Sequence, residues 1–556
     1  MKKLITPALA LTVAAGIFTG CSSDYLETAP VTEVSAAVVQ TTQEGAQAAL
    51  NGLCYSMYYQ ESDLFDYLFM NGEPYVQTVW GEIFGQDYYS YMWSNQTGSN
   101  YKWQANANAN GWMTMIPWSY CYNLINQANT ILKGIDDING DREVLDFIKA
   151  QALSIRAHAY TRLLQIYSYR WERTDNGNKY CVVLRTEPGT DAAPLATMNE
   201  VLSQIYSDLD TAVEIFKNST ATRTYNWEPD LSVAQGLYAR AALLKDDWQT
   251  AQQMAHDARQ AYPVMSAEEY KAGFNSPTKE WIWSGYNGGE TWFTTWGMMF
   301  CCNGAYPGVW GLGAGSINYE LYRQFPDGDI RADLFFTPDK IIGNRPAKSS
   351  FWNQSYCDPA SMNLMKNQVM KAQIHAFEDN SYPTDKSVNW PKPYNNFQTG
   401  NDDESYVVFG AQFKFWSRDD YGSGYYCYMR GSEMLLIEAE AACHNNQPNV
   451  AIANLKELNA QRNPNYTCNL SGDALLDEVK LQRRFELWGE GFNWFDLKRW
   501  NMPMIRKPWI EKDVDSNNIP QADALEKQPD DRGWKFAVPT NESRYNPLVD
   551  RTLVDD

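Results

Sequence analysis

Histidine is nearly missing from this chain of 556 residues. There are four, at 158, 256, 375 and 444, and none forms an HxH or HExxH spacing. A zinc-dependent catalyst therefore has no ligand set here. No P-loop is present, and no GxGxxG follows a strand pattern; the GLGAG run at 311–315 reads as loop glycine. No GxSxG elbow occurs either, so nucleotide binding and α/β-hydrolase chemistry lack their fingerprints. Positive charge is also short, with 46 Lys and Arg against 67 Asp and Glu, a net −21. Such a field repels phosphate backbones and anionic headgroups, which excludes nucleic acid as a natural partner and disfavours an anionic glycan. After residue 20 no apolar run is long enough to span a bilayer. Cysteine is the last scarcity. Without Cys21 an odd nine remain, at spacings that fit neither a zinc site nor a small disulfide scaffold. Cys54, Cys121 and Cys443 fall in helical patterns, where a thiol acts as a small hydrophobe; a disulfide among the others stays open.

What is present begins with MKKLITPALALTVAAGIFTGC, a basic start, an apolar run from Leu4 to Phe18, then small residues before Cys21. This reads as a secretory signal over residues 1–20 ending in a lipobox-like site. Acylation of Cys21 would supply the several chains that stable anchoring needs, with residues 21–40 as a linker. Hydrophobic content of 44% suffices for a large core.

Helical periodicity dominates two stretches. Residues 41–60 read as a helix capped by Thr41 or Thr42, with Glu44 in its first turn. In 147–168, Ile148, Ala152, Ile155, Ala159, Leu163 and Ile166 recur at spacings of three and four. Helix pairs follow at 117–134 with 143–169, at 198–217 with 231–245 (continued by 248–261), and at 432–444 with 449–462. Small residues at Ala234, Gly236, Ala239, Ala242, Ala251 and Ala255 permit close approach, and DDWQTAQQMAHDA looks like a tetratricopeptide second helix. Pairs of this kind must stack to bury their faces; unrelated helices of a bundle would give the same periodicity. Between 276 and 430 the helical signal fades. Only EWIWSGY (280–286) and SYVVFGAQFKFW (405–416) alternate like short strands, in a stretch rich in Gly, Pro and Asn. A segment of this length without regular structure is usually functional.

Tryptophan is unevenly spread. Residues 75–118 and 281–310 hold ten of the 21, where an even spread would place about three. Charged side chains are scarce there, and Asn, Gln, Gly and Ser are interleaved. Exposed aromatic surface of this sort marks a binding site or an interface. The chemistry fits carbohydrate: a pyranose lays its apolar C–H face on a ring, and its hydroxyl rim takes amide or backbone partners. Trp112 and Trp118 precede a helix, and Trp281 and Trp283 share a strand, so these four read as core. Trp80, Tyr89, Trp93, Trp292, Trp296 and Trp310 read as ligand platforms, with Asn95 as a hydroxyl partner.

The densest motif is LLDEVKLQRRFELWGEGFNWFDLKRW, Leu475 to Trp500. On a helix Arg483, Glu486 and Glu490 share one face, which places both carboxylates before one arginine. Two carboxylates one turn apart also suit a glycosidase, but flanking Arg483 and Arg484 favour a buried ion network. DGDIRAD at 327–333 is too short for an EF-hand loop and reads as a salt-bridged segment. Cys21 with DYLETAP, ANTIL, RAHAY, FPDGDIRAD, YMRGSEMLLIEAEAA, LNAQRNP and the final motif occur in the order and spacing of the SusD/RagB nutrient-binding lipoproteins of Bacteroidetes, which the chain resembles over nearly its whole mature length. It departs from that pattern at Gln482, where Glu is usual, and Asn493, where Arg is usual.

The resemblance implies a mainly α fold: tetratricopeptide-like helical repeats (about 117–261 and 432–500) and a large loop-rich ligand lobe carrying short strands (about 71–116 and 276–430), in one domain over 41–556. It implies a non-enzymatic, cofactor-free lipoprotein of the outer membrane, facing the cell exterior; the acidic residues after Cys21 resemble a surface-export signal. Its partners would be an oligosaccharide and a SusC-like TonB-dependent transporter. A peptide ligand, as in RagB-like members, is the alternative; peptide sites prefer pockets and backbone hydrogen bonds over flat aromatic platforms.

Overall fold

Asp and Thr caps open five of the helices close to where the periodicity places them. The computed structural model describes residues 36–58, 72–89, 101–287, 316–335, 412, 414–415, 424–508, 510, 517, 519 and 521–555. Thr42 Oγ1 accepts from Gly45 N at 3.1 Å ahead of α1, Gln43–Tyr58. Then come α2 (Trp112–Leu132) and α3 (Arg142–Tyr167). Thr197 and Glu200 form a reciprocal capping box for α4, Met198–Asn218. Asp230 and Asp247 cap α5, Leu231–Leu244, and α6, Trp248–Ala258. Later come α7 (Gly431–His444), α8 (Pro448–Asn459), α9 (Asp473–Glu486) and α10 (Asn493–Arg499). One start differs from the expectation. Pro117 does not begin α2 but sits inside it, costing one backbone bond while α2 buries Met113, Ile116 and Trp118.

Each helix packs on the next, from α1 through α6, and α6 packs directly on α7. The array thus continues across the long insertion between Ala258 and Gly431, as a stack of units that cannot bury their faces alone. The small residues read from the sequence lie at these contacts. Ala234, Ala239, Ala242, Ala251 and Ala255 are wholly buried, and a Cβ on Gly236 would stand 2.2 Å from Met429 Sδ.

The sheets are two-stranded ribbons. Strands β1 (Tyr88–Tyr89), β2 (Tyr180–Val183), β3 (Leu195–Thr197), β4 (Trp281–Asn287), β5 (Ser316–Ile317) and β6 (Gly424–Arg430) pair antiparallel as β1–β5, β2–β3 and β4–β6. Trp281 and Trp283 of β4 are both buried, as expected. Cys54, Cys121, Cys181, Cys427, Cys443 and Cys468 are free thiols, so no disulfide forms among the described cysteines. Cys21, Trp93, Asn95, Trp292, Trp296, Trp310 and most of the expected strand at 405–416 lie outside the described residues.

A π-helix at Val76–Ile83 crosses the loop after α9. Gly81 meets Gly491 there so closely that a Cβ on Gly81 would lie 2.2 Å from the Gly491 carbonyl oxygen. Gly81→Ala is expected to destabilise the protein by about 2–3 kcal/mol, read as a lowered urea midpoint. Gly52→Ala, where nothing lies within 4 Å of the new Cβ, should instead hold or raise the midpoint. Equal responses would show that the Gly81 contact is not tight.

Candidate functional site

Glu486, at the end of α9, is the centre of a buried ion cluster. Arg462 donates to both its oxygens at 2.9 and 3.0 Å, Arg430 at 2.8 Å, and Arg331 at 3.5 Å. One turn on, Glu490 receives two bonds from Arg430, both 2.7 Å, and one from Lys414 at 2.5 Å. Glu280 accepts from Arg430, Met265 N and Ser432 N, and Asp329 clasps Arg331 at 2.6 Å. Arg331, Lys414, Arg430 and Arg462 thus face Glu280, Asp329, Glu486 and Glu490, four charges of each sign and all buried. Burial alone would push the Glu486 carboxyl up, but Arg462 and Arg430 hold it far below the usual carboxylate range. Glu490 is held down in the same way by Arg430 and Lys414. A glycosidase acid needs a raised carboxyl; this pair provides two saturated carboxylates. The cluster latches Ile330–Leu334, Lys414, β6 and the α8 terminus to α9.

The arginine facing both carboxylates is therefore Arg430, and the expectation of Arg483 is corrected. Arg483 turns to Asp496 at 2.7 Å, and Arg499 joins Asp496 to Glu440. The helix ends at Glu486, so Glu490 joins the cluster from the turn beyond it, and the shared arginine comes from a strand far away in sequence. DGDIRAD is salt-bridged as expected, through Asp329–Arg331 and Lys271–Asp333. The two departures from the family pattern keep their places in the network as amides. Gln482 Oε1 accepts from Arg331 at 2.8 Å, while Asn493 accepts from Gln86 N and donates to Asp87.

The stem of the first Trp-rich stretch, residues 72–89, is held by three acidic side chains. Glu73 receives Arg162 and contacts His158 on α3. Glu82 Oε1 accepts from Gly491 N and Phe492 N at 2.7 and 3.0 Å. Asp87 takes a bidentate pair from Arg484. This clamp corrects two expected platforms. Trp80 is fully buried, edge-on to Tyr75. Tyr89 is buried with its hydroxyl donating to Asp523 at 2.7 Å. Neither ring presents a face to a sugar, because the π-helix and β1 bury them against the C-terminal part of the chain. Trp118 is buried and Trp112 half-buried.

The clamp and its ribbon do bring the roots of both Trp-rich stretches together. Tyr89 pairs with Ser316 and Tyr88 with Ile317, so residues 90–100 leave, and residues 288–315 return, at adjacent positions of one ribbon. Tyr101, where the first stretch re-enters, packs tilted against Tyr89 at 5.4 Å. Sequence reasoning missed Glu82 and Lys414, which carry no motif and acquire partners only through the tertiary fold. Among the described residues no His, Cys, Asp and Glu group could hold a metal ion, and no helix is long and apolar enough to cross a membrane.

A tetratricopeptide-like helical stack, closed by a buried ion latch and rooting two aromatic stretches on one ribbon, defines the class of scaffold. Residues 279–554 match the model described as the SusD family, and residues 33–243 match that described as starch-binding associating with outer membrane. The chain belongs to the SusD family. Its fold is similar to that of a SusD-like carbohydrate binding protein from Bacteroides vulgatus ATCC 8482, with a TM-score of 0.70 and 23% identity over 92% of this chain and 97% of that one. A SusD superfamily protein from Bacteroides thetaiotaomicron VPI-5482 gives 0.65 and 20%, over 92% and 99%. A laminarin binding SusD-like protein gives 0.60 and 15%, over 92% and 99%. At these identities the likeness is one of fold. Among curated proteins none matches the chain.

Proposed function

We propose that this protein is a non-catalytic, lipid-anchored surface component that captures neutral oligosaccharides and delivers them to a SusC-like TonB-dependent transporter. The observation that carries this reading is the family match over both parts of the chain, one of them described as starch-binding and associated with the outer membrane. Capture is assigned to the two Trp-rich stretches, whose roots the β1–β5 pairing makes neighbours. Trp93, Trp292, Trp296 and Trp310 supply stacking faces and Asn95 a hydroxyl partner. Cys21 supplies the anchor. The saturated state of Glu486 and Glu490 supports binding without bond cleavage.

Calorimetric titration of residues 22–556 with neutral and acidic polysaccharides and with mixed peptides tests the reading. A neutral glycan should bind, and Trp93→Ala and Trp296→Ala should each weaken it about tenfold, equivalent to about 1.4 kcal/mol. Heat from peptides with silence across the glycans would replace it with the RagB-like alternative. Co-purification with a barrel from the native membrane tests the transporter partnership.

A further inference from the structure

A cleft of about 400 Å³ opens between α2, the segment after β2 and the C-terminal helix Thr540–Tyr545. That volume falls in the range of small-ligand sites. Its floor and walls include Trp118, Tyr122, Ser119, Asn123 and Arg185, with Tyr545 at the rim. It lies apart from the β1–β5 ribbon and shares none of its residues.

The cleft is rigid. Asn129 on α2 donates to the carbonyls of Arg185 and Glu187, both at 3.1 Å. Gly189 N donates to Asn126 at 2.8 Å. Trp118 Nε1 donates to Glu542 at 3.2 Å, and Asn546 donates to the same carboxylate at 2.9 Å. Such fixed walls lower the entropic cost of binding.

Its chemistry narrows the ligand. A peptide would bind by adding to the outer edge of β2 and the residues after it, but that edge is already satisfied. Val183 exchanges both of its backbone bonds with the Tyr122 hydroxyl, at 2.6 and 2.8 Å. Arg185 does the same with the Tyr160 hydroxyl, both at 2.7 Å. An anion is disfavoured as well. Arg185 is committed to Glu542 at 3.3 Å, and Glu187 adds a further carboxylate. What remains is aromatic surface and neutral polar groups. Tyr545 is 77% exposed, a phenol ring standing free at the rim. The side chains of Ser119 and Asn123 make no hydrogen bond among the described residues and are half-buried in the cleft wall. An exposed phenol ring lining the same cleft as unpaired amide and hydroxyl groups matches a sugar, with its apolar C–H face and hydroxyl rim.

We propose that this cleft is a second saccharide site, binding a short segment of a neutral glycan against Tyr545, Ser119 and Asn123, separate from the Trp93 and Trp296 platforms. A glycan engaged at both sites would gain from the high effective concentration of its second segment, which suits retention of long chains at a surface.

The test titrates three forms of residues 22–556 with maltohexaose and laminarihexaose, as neutral α- and β-glucans. The forms are the unsubstituted chain, a W93A/W296A form, and an N123A/Y545A form. Tyr545 is exposed and Asn123 lines the open cleft with no side-chain bond to lose, so the last should keep its circular dichroism and melting temperature. The expected result is two sites for at least one sugar, one surviving in W93A/W296A and the other in N123A/Y545A. Complete loss in W93A/W296A overturns the cleft site and leaves capture by the aromatic stretches standing. Complete loss in N123A/Y545A keeps the cleft and removes those stretches as the site. Silence with both sugars overturns the cleft proposal. Loss of a co-purifying membrane protein on Tyr545→Ala, with no sugar heat, also overturns it by assigning the face to a protein contact.

Discussion

Glu486→Gln should lower the stability of this protein by about 3–5 kcal/mol, the cost typical of removing one member of a buried ion network. Four donors from Arg331, Arg430 and Arg462 converge on that carboxylate. An amide keeps one acceptor and turns the other into a donor aimed at a guanidinium. It also leaves the four cations of the cluster facing three carboxylates, with no water to screen the excess. The effect should extend beyond α9, since the cluster ties together β6, the α8 terminus, Lys414 and Ile330–Leu334. Urea unfolding followed by circular dichroism would measure it, with Lys149→Ala as control. Lys149 pairs with Asp136 at the surface, where the loss should stay under about 1 kcal/mol. A Glu486→Gln midpoint no lower than that control would mean that the cluster is not a latch.

Glu82→Gln should raise stability at alkaline pH. Burial is the main cause that pushes the Glu82 carboxyl from 4.5 up to about 8, with Asp87 adding to it and the bonds from Gly491 N and Phe492 N and the charge of Lys414 opposing it. The folded state therefore keeps a proton that the unfolded chain releases above 4.5. Stability from this group is complete below that pH and declines as pH rises towards about 8, by on the order of 5 kcal/mol across the window. An amide keeps the acceptor for Gly491 N and Phe492 N and has no proton to lose. The variant should match the parent near pH 5 and exceed it at pH 9. Parallel stability curves from pH 5 to 9 would refute the assignment. At the acid end the sign reverses. Arg162 and His158 hold Glu73, and Arg499 holds Glu440, down at about 2 against the opposing effect of burial. Their contribution is present above 4.5 and is lost as pH falls towards 2.

Much of the scaffold was legible because helices are local. Stripes at spacings of three and four and small residues where helices meet placed α3 through α8 within a few residues of their observed ends. The Leu475–Trp500 motif was legible as an ion network from its density of opposed charges, although the helix ends at Glu486 and Arg483 turns to Asp496. Arg430 was not legible as their partner. It reaches Glu486 from 56 residues away, because β6 pairs with β4 and directs that side chain inward.

The same division holds for the aromatic residues. Composition alone identified two Trp-rich stretches low in charge, but a ring suits a core and a binding surface equally well. Burial decided the matter for Trp80 and Tyr89, which the clamp of Glu73, Glu82 and Asp87 packs away. The sequence by itself determined the family and the helical stack, since each follows from residue type and local spacing. Only the tertiary structure decided which arginine answers Glu486, that the two stretches root on one ribbon, and that Trp118 and Tyr545 border a common cleft. Those are contacts between distant parts of the chain, and they arise only once the helices have stacked.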